Sequence, residues 1–277
     1  NVQRFIFSAS PGTARTSLVT LSLGLAMPSS SLMTLSINDL RLDHCLMDIL
    51  CAGLSRNKSI IELSFVNSRF SEDDSTHLLL ANSFQKMTSL QHLSFSNCRL
   101  EDEQCHDLIL SLIGNDKLLE LNLDGNRCHN LGLKALSVLL TENPILVLDL
   151  SSQKVMGDSM DLSRLSPGLA KSKLRCLQLS GNNLDLASIE ALSEAVGENT
   201  SLKIIHLAWC PLNESAMVLL GNAMRRNGSV EKLVFHGCGI DNQGLSRFAN
   251  RLRQMKGLRR LDLGGTQAFD SFGLFSL

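Results

Sequence analysis

Apolar residues in this chain return on one grid: an apolar position, two more three and five residues on, and Asn, Cys or a small residue eight beyond the first. Nine copies begin at Leu32, Ile60, Leu90, Leu118, Ile145, Leu174, Leu202, Val230 and Leu258, at steps of 28, 30, 28, 27, 29, 28, 28 and 28 residues. Two shorter steps precede them, at Val2 (Phe5, Phe7, Ser10) and Leu18 (Leu21, Leu23, Ala26). They read as abbreviated turns that lack helices.

The two halves of a repeat differ in period. In "LLELNLDGN", Leu121 and Leu123 alternate with Glu120, Asn122 and Asp124, the period-2 mark of a short strand with one buried face. The second half follows the helical spacing i, i+3, i+7, as in Leu133, Leu136 and Leu140, in Ile189, Leu192 and Val196, and in Leu245, Phe248 and Leu252. So small a strand and helix cannot bury their apolar faces alone, and stacking one unit on the next must supply the core. The expected fold is therefore α/β, a curved solenoid or horseshoe with parallel strands on the concave face and helices on the convex face. Residues 1–31 form its abbreviated N-terminal turns or cap, and 32–277 the repeats, the last one truncated.

"LLELNLDGNRC", "LRCLQLSGNNL", "LKIIHLAWCPL" and "VEKLVFHGCGI", with Asn126, Asn182, Cys98, Cys210 and Cys238 at the ninth position, resemble the ribonuclease-inhibitor-like class of leucine-rich repeats. The resemblance covers nearly the whole chain and implies fold more than function, because one architecture serves many roles. The Ile145 repeat departs from it: Gln153 replaces Asn or Cys, and "RLSPGLAKS" puts Pro167 and Gly168 in the helical half, which predicts a short or displaced helix. The terminal "DSFGLFSL" lacks a polar cap, so this end is expected to continue in a longer protein or meet a partner.

Composition narrows the chemistry. The net charge is −1, so nothing global points to nucleic acid or membrane, and no apolar run reaches the roughly 20 residues of a bilayer span. The eight cysteines form no C-x-x-C pair and no metal-ligand spacing, which reads as reduced thiols in a cytoplasmic setting. Cys98, Cys210 and Cys238 are expected to turn inward and satisfy backbone groups, Cys105 to be core, and Cys176 to point outward. The triplets at Asn57, Asn199 and Asn227 read as helix-to-strand turns, where Asn can take left-handed backbone, rather than as glycosylation sites. No phosphate-loop, nucleophile-elbow or zinc-protease motif is present, so no enzyme, cofactor or metal is expected.

The recognition surface is then the concave sheet, roughly 50 Å long for eleven units at about 4.8 Å. Its amino-terminal positions are small and polar: Thr20, Ser22, Thr34, Ser36, Ser64, Ser94 and Ser96. Glu62, Glu120, Asp124 and Asp149 add an acidic patch. The partner-binding candidates lie towards the carboxyl end: Ile204, His206, Trp209, Lys232, Val234, His236, Arg260 and Asp262. Of the seven histidines only His92, His206 and His236 project from concave strands, with His206 and His236 as neighbours and companions of Trp209. Trp209, the only tryptophan, falls just before a turn at the rim, either as a binding anchor or packed over the neighbouring repeat.

Charge is polarised. Residues 57–150 hold 13 acidic and 7 basic residues, net −6, whereas 203–277 hold 5 and 10, net +5. Arg247 and Arg251 stand i, i+4 on one helix, as a solvated convex face or a dock for an acidic partner. The leading expectation is a non-enzymatic scaffold that binds protein, not nucleic acid or membrane. The alternatives are a structural subunit of a cytoskeletal or ciliary assembly, a GTPase activator of the Ran-specific type, and the ligand-sensing region of a larger nucleotide-binding receptor.

Overall fold

A computed structural model describes residues 2–9, 13–71, 75–153 and 159–265. The chain packs as two units, residues 1–145 and 146–277. In the first, β1 (Arg4–Phe7), α1 (Ala14–Ala26), β2 (Thr34–Asn38), β3 (Arg41–Leu42), α2 (His44–Leu54), β4 (Glu62–Val66) and β5 (Arg69–Phe70) are followed by α3 (Thr76–Phe84), β6 (His92–Ser96), α4 (Asp102–Leu110), β7 (Glu120–Asn122) and α5 (Asn130–Glu142). The second runs β8 (Val147–Asp149), a 3-10 turn at Leu162–Arg164, α6 (Ser166–Lys171), β9 (Cys176–Gln178), α7 (Leu186–Glu198) and β10 (Ile204–His206). It ends with α8 (Glu214–Arg226), β11 (Lys232–Val234), α9 (Asn242–Leu252) and β12 (Arg260–Asp262).

Both units are leucine-rich solenoids. Parallel strands stack in the order β1-β2-β4-β6-β7 in the first and β8-β9-β10-β11-β12 in the second. Register follows the sequence grid: Leu35, Leu63, Leu93 and Leu121 face one another in the first unit, and Leu148, Leu177, Ile205, Leu233 and Leu261 in the second. The helical positions are buried as their spacing requires, with Leu133, Leu136, Ile189, Leu192, Leu245 and Phe248 at 1% exposure or less. In the first unit Phe65 and Phe95 stack with centroids 5.3 Å apart. In the second, Phe235 meets Phe248 edge-on.

The opening residues differ from the expectation. They make one complete β–α coil, with β1 paired to β2 and α1 a helix of 13 residues. The apparent grid at Leu18 lies inside α1, whose buried face is Ala14, Leu18, Ser22 and Leu25 at helical spacing. Thr20 and Ser22 thus stand on a helix, not on the sheet, and Leu23 is 66% exposed. The sixth helix is short as expected, α6 having 6 residues and Pro167 in its first turn, where the missing N–H costs nothing.

Two side-chain columns bind coil to coil. At the ninth repeat position Ser68 Oγ donates to the Ile37 carbonyl at 3.1 Å, Asn126 Nδ2 to Phe95 at 2.6 Å and Asn182 Nδ2 to Leu150 at 2.8 Å. Cys98, Cys210 and Cys238 aim their thiols at the carbonyls of Phe65, Leu179 and Leu207, at 3.3, 3.2 and 2.9 Å. Burial pushes the Cys98 and Cys210 thiols up to about 12 and that of Cys238 to about 11, so they stay protonated donors. The second column lies at the helix-to-strand turn. There Asn57, Asn143, Asn199 and Asn227 donate to Leu25, Leu112, Leu169 and Val196. Asn199 and Asn227 have extended backbones, φ −68° and −83°, so these asparagines are chosen for their buried amides and not for left-handed turns. Cys105 is core as expected, its thiol raised well above the usual range by its hydrogen bond with Cys128 and by burial. Cys176 is half-buried on the outer face.

Asn126 carries the most: besides its donations, its Oδ1 accepts from the Cys98 and Leu100 amides. Asn126→Ala strands several buried groups at once, and equilibrium urea unfolding is expected to show a loss of about 3 kcal/mol.

Candidate functional site

The turn that ends each strand has a left-handed residue at the eighth repeat position, and the column can be read down the chain. In the first unit it holds Asp39, Asn67, Asn97 and Gly125, and in the second Ser152, Gly181, Trp209, Gly237 and Gly265, all with φ between 50° and 72°. Small or Asx residues are the usual occupants, because a bulky side chain in this conformation costs roughly 1–2 kcal/mol. Trp209 breaks the rule at φ +59°. Its amide still donates to the His236 carbonyl at 2.7 Å, so the turn is retained and only the side chain is out of place.

The next coil is shaped to receive the indole. A Cβ placed on Gly237 would lie 2.5 Å from Trp209 Cε3, so the six-membered ring rests directly on that glycine. Its edge meets the His236 imidazole at 5.3 Å and 70°. His236 in turn lies over Gly264 and Gly265, whose added Cβ atoms would fall 2.7 and 2.9 Å from its ring nitrogens. Even so, Trp209 is 63% exposed. The ring thus packs on the neighbouring repeat, as one of the two expectations had it, and still shows most of its surface.

The other carboxyl-end candidates fall on the sheet face beside it. Ile204, His206 and Lys232 are half-buried, and Arg260 and Asp262 exposed. Arg260 lies in register with Lys232, and Asp262 with Val234. Val234 is a correction: at 7% exposure it offers no contact surface, because a short branched side chain between His206 and Asp262 is covered by its longer neighbours. His206 is paired in register with Gln178 and Val234, and among the described residues the ring that Trp209 meets is that of His236. Burial, then the Lys232 ammonium, lower the His206 pKa below its ordinary value, while Asp149 and Asp262 pull it up.

Of the acidic candidates, Glu62 and Glu120 stand in register on either side of His92. In the first unit Glu120 pairs with His92 at 3.0 Å and Glu62 accepts from Thr34 at 3.2 Å. Asp124 is half-buried there. Asp149 belongs to the second unit, where it accepts from the Ser151 amide at 2.8 Å. The helical arginines are engaged: Arg247 with Glu214 at 2.8 Å, and Arg251 with Asn222 at 2.7 Å. Among the described residues no group of three or more His, Cys, Asp or Glu side chains is placed to hold a metal ion. No described helix is long and apolar enough to cross a membrane. The terminal "DSFGLFSL" lies outside the described residues.

Sequence reading placed Trp209 at the rim but missed that it occupies a left-handed position. The signal was present, since aligning the eighth column puts Trp among Gly, Asn, Asp and Ser.

Comparison with known proteins agrees with the repeat fold. A family model described as Leucine Rich repeat matches residues 170–193. The human NACHT, LRR and PYD domains-containing protein 13 is 24% identical over 245 residues, 88% of this chain and 21% of that protein. Pig ribonuclease inhibitor is 29% identical over 175 residues, 62% of this chain and 38% of that protein. This chain thus spans about a fifth of the length of the human relative. Among solved structures, a Bacteroides fragilis protein superimposes with TM-score 0.61 at 12% identity, over 96% of this chain and 76% of that one. The Toll–Spatzle complex of Drosophila gives 0.51 at 12% identity, over 96% and 34%. These likenesses establish the fold.

Two outcomes follow for the site. Trp209→Asn relieves the left-handed strain while giving up little buried area, and chemical denaturation is expected to show a gain of about 1 kcal/mol. In NMR titrations of His206, Lys232→Ala raises its pKa, because a repelling cation is gone, and Asp149→Asn lowers it further.

Proposed function

We propose that this chain, a leucine-rich repeat protein similar to ribonuclease inhibitor, is a protein-recognition module whose contact surface centres on Trp209 and His236. The observation that carries the reading is the exposed indole at a backbone position that disfavours it. A residue that costs stability where Gly or Asn would not, and that leaves most of its ring in solvent, is better explained by binding than by folding. Tryptophan is also the side chain most enriched among residues that dominate interface energies. His236 braces the ring, His206 and Ile204 extend the surface along the strand, and Lys232, Arg260 and Asp262 supply a mixed polar border. The reading assigns the chain no catalytic residue.

A second reading is favoured by the relatives. Similarity to a NACHT, LRR and PYD domains-containing protein over about a fifth of its length supports this chain acting as the recognition region of a longer protein with a nucleotide-binding domain. A full-length transcript encoding that domain supports it, and one without it removes the reading.

The primary test uses the immobilised chain beside a Trp209→Asn/His236→Ala variant of equal helical content by circular dichroism. Proteins retained from a native extract are compared by mass spectrometry. The expected result is a small set retained by the native chain and depleted about tenfold with the variant, the loss of roughly 1.4 kcal/mol or more that an interface anchor carries. An unchanged set would falsify the assignment of the surface.

A further inference from the structure

The tenth repeat position holds arginine in four consecutive coils of the first unit: Arg41, Arg69, Arg99 and Arg127, at steps of 28, 30 and 28 residues. Flanked by buried residues, each must project outward. Arg41, Arg69 and Arg99 are exposed and Arg127 half-buried. They recur one per coil, and Arg99 differs from the others in taking a left-handed backbone, φ 56°. Arg41 and Arg69 are direct partners in the β3–β5 ladder. The amides of Arg69 and Arg127 make equivalent bonds, to the Leu40 carbonyl at 2.7 Å and the Leu100 carbonyl at 2.9 Å. At about 4.8 Å per coil the four span roughly 15 Å. Only Arg127 has an ion pair among the described residues, to Glu101 at 2.6 Å. In the sequence of the second unit this position holds Lys154, Asn183, Pro211, Gly239 and Gln267, so the run of arginines belongs to the first unit, and Lys154 and Gln267 lie outside the described residues.

We propose that this arginine ladder is a docking surface for an extended acidic peptide of a partner protein, laid across the coils on the flank of the first unit. Like charges in adjacent coils repel one another, and an arrangement unfavourable alone is relieved by a ligand that neutralises several together. Guanidinium groups match carboxylates bidentately, and long, flexible side chains one coil apart can follow carboxylates along an extended strand. Arg69, Arg99 and Arg127 also border a pocket of about 670 Å³ that can take an uncharged side chain of the same peptide. Its carboxylates, Glu101, Glu103 and Asp107, all come from α4 and its cap, and two are already engaged, Glu101 by Arg127 and Asp107 by His77 and His106. They leave Arg41, Arg69 and Arg99 without an ion pair among the described residues and set a limit on the ligand's depth. A single-stranded nucleic acid fits less well, since such strands need exposed rings for base stacking, and Phe70, the one phenylalanine among the described lining residues, is buried. The surface is separate from the Trp209 site, which lies in the other unit.

Fluorescein-labelled decaglutamate, titrated with the full chain at low salt and followed by anisotropy, tests the proposal. Three proteins are compared: the native chain, Arg41→Gln/Arg69→Gln/Arg99→Gln, and Arg247→Gln/Arg251→Gln/Arg253→Gln, which removes the same charge from the second unit. Circular dichroism and thermal melting establish that all three are folded. The expected result is binding that weakens about tenfold or more in the ladder variant, less than about twofold in the matched variant, and steeply with added salt. Absence of binding to the folded native chain, equal losses in both variants, or tighter binding of a ten-residue oligothymidylate than of decaglutamate overturns it. Retention of the Trp209-dependent partners by the ladder variant keeps this outcome distinct from that of the sheet-face reading.

Discussion

Everything in this protein depends on one recurring requirement: as each strand leaves the sheet it exposes a carbonyl that the next coil must satisfy. A parallel ladder of three to five residues ends abruptly, and the carbonyls beyond it have no backbone partner of their own. Ser68, Cys98, Asn126, Asn182, Cys210 and Cys238 meet this need from the same repeat position. Their chemistry differs, but each offers a donor small enough to be buried under the turn. The asparagines at the opposite corner of the coil do the same for the helix ends. Burial of leucine supplies the driving force, and these donors make burial of the backbone tolerable.

Coils also complete one another electrostatically. Helix α5 has no side-chain cap of its own, and Asp102 of the preceding coil supplies one, accepting from the amides of His129, Leu131 and Gly132 at 2.7 to 2.9 Å. Four other helices carry their own side-chain caps, from Asp43, Asp185, Asn213 and Asp241. A regular backbone frees the side chains that the architecture does not consume, and these are the eighth-position side chains, the tenth-position side chains and the outer face of the strands. Trp209 and the arginine column belong to that unconsumed set. Both stand out because their neighbours in the same column show what the fold alone would accept.

Most of the architecture was legible in the sequence, because period and burial are the same statement in a repeat protein. Strand register, the helical faces, the inward cysteines and the shortened α6 all follow from spacing. The opening coil was misread because Leu18, Leu21, Leu23 and Ala26 satisfy the strand grid while lying on a helix whose buried face is Ala14, Leu18, Ser22 and Leu25. A three-and-five spacing over nine residues cannot separate the two periods when most residues are apolar. The site was half legible. Alternation placed Ile204 and His206 outward correctly, but it treats every outward position alike, and Val234 is hidden by the length of its neighbours. Backbone conformation carries the rest: the meaning of Trp209 lies in a left-handed turn that only its column reveals.

The donations made by the ninth-position side chains point one way. In each case the donor sits on the later coil and the acceptor on the earlier one. A chain emerging from the ribosome therefore leaves its newest coil with a buried-type carbonyl unmet until some 30 further residues have appeared. Folding during synthesis must trail the growing end by about one coil, and a break in the solenoid leaves both sides incomplete, the later with ninth-position donors that have nothing to bind and the earlier with unmet carbonyls and, ahead of Asn126, the unmet amides of Cys98 and Leu100.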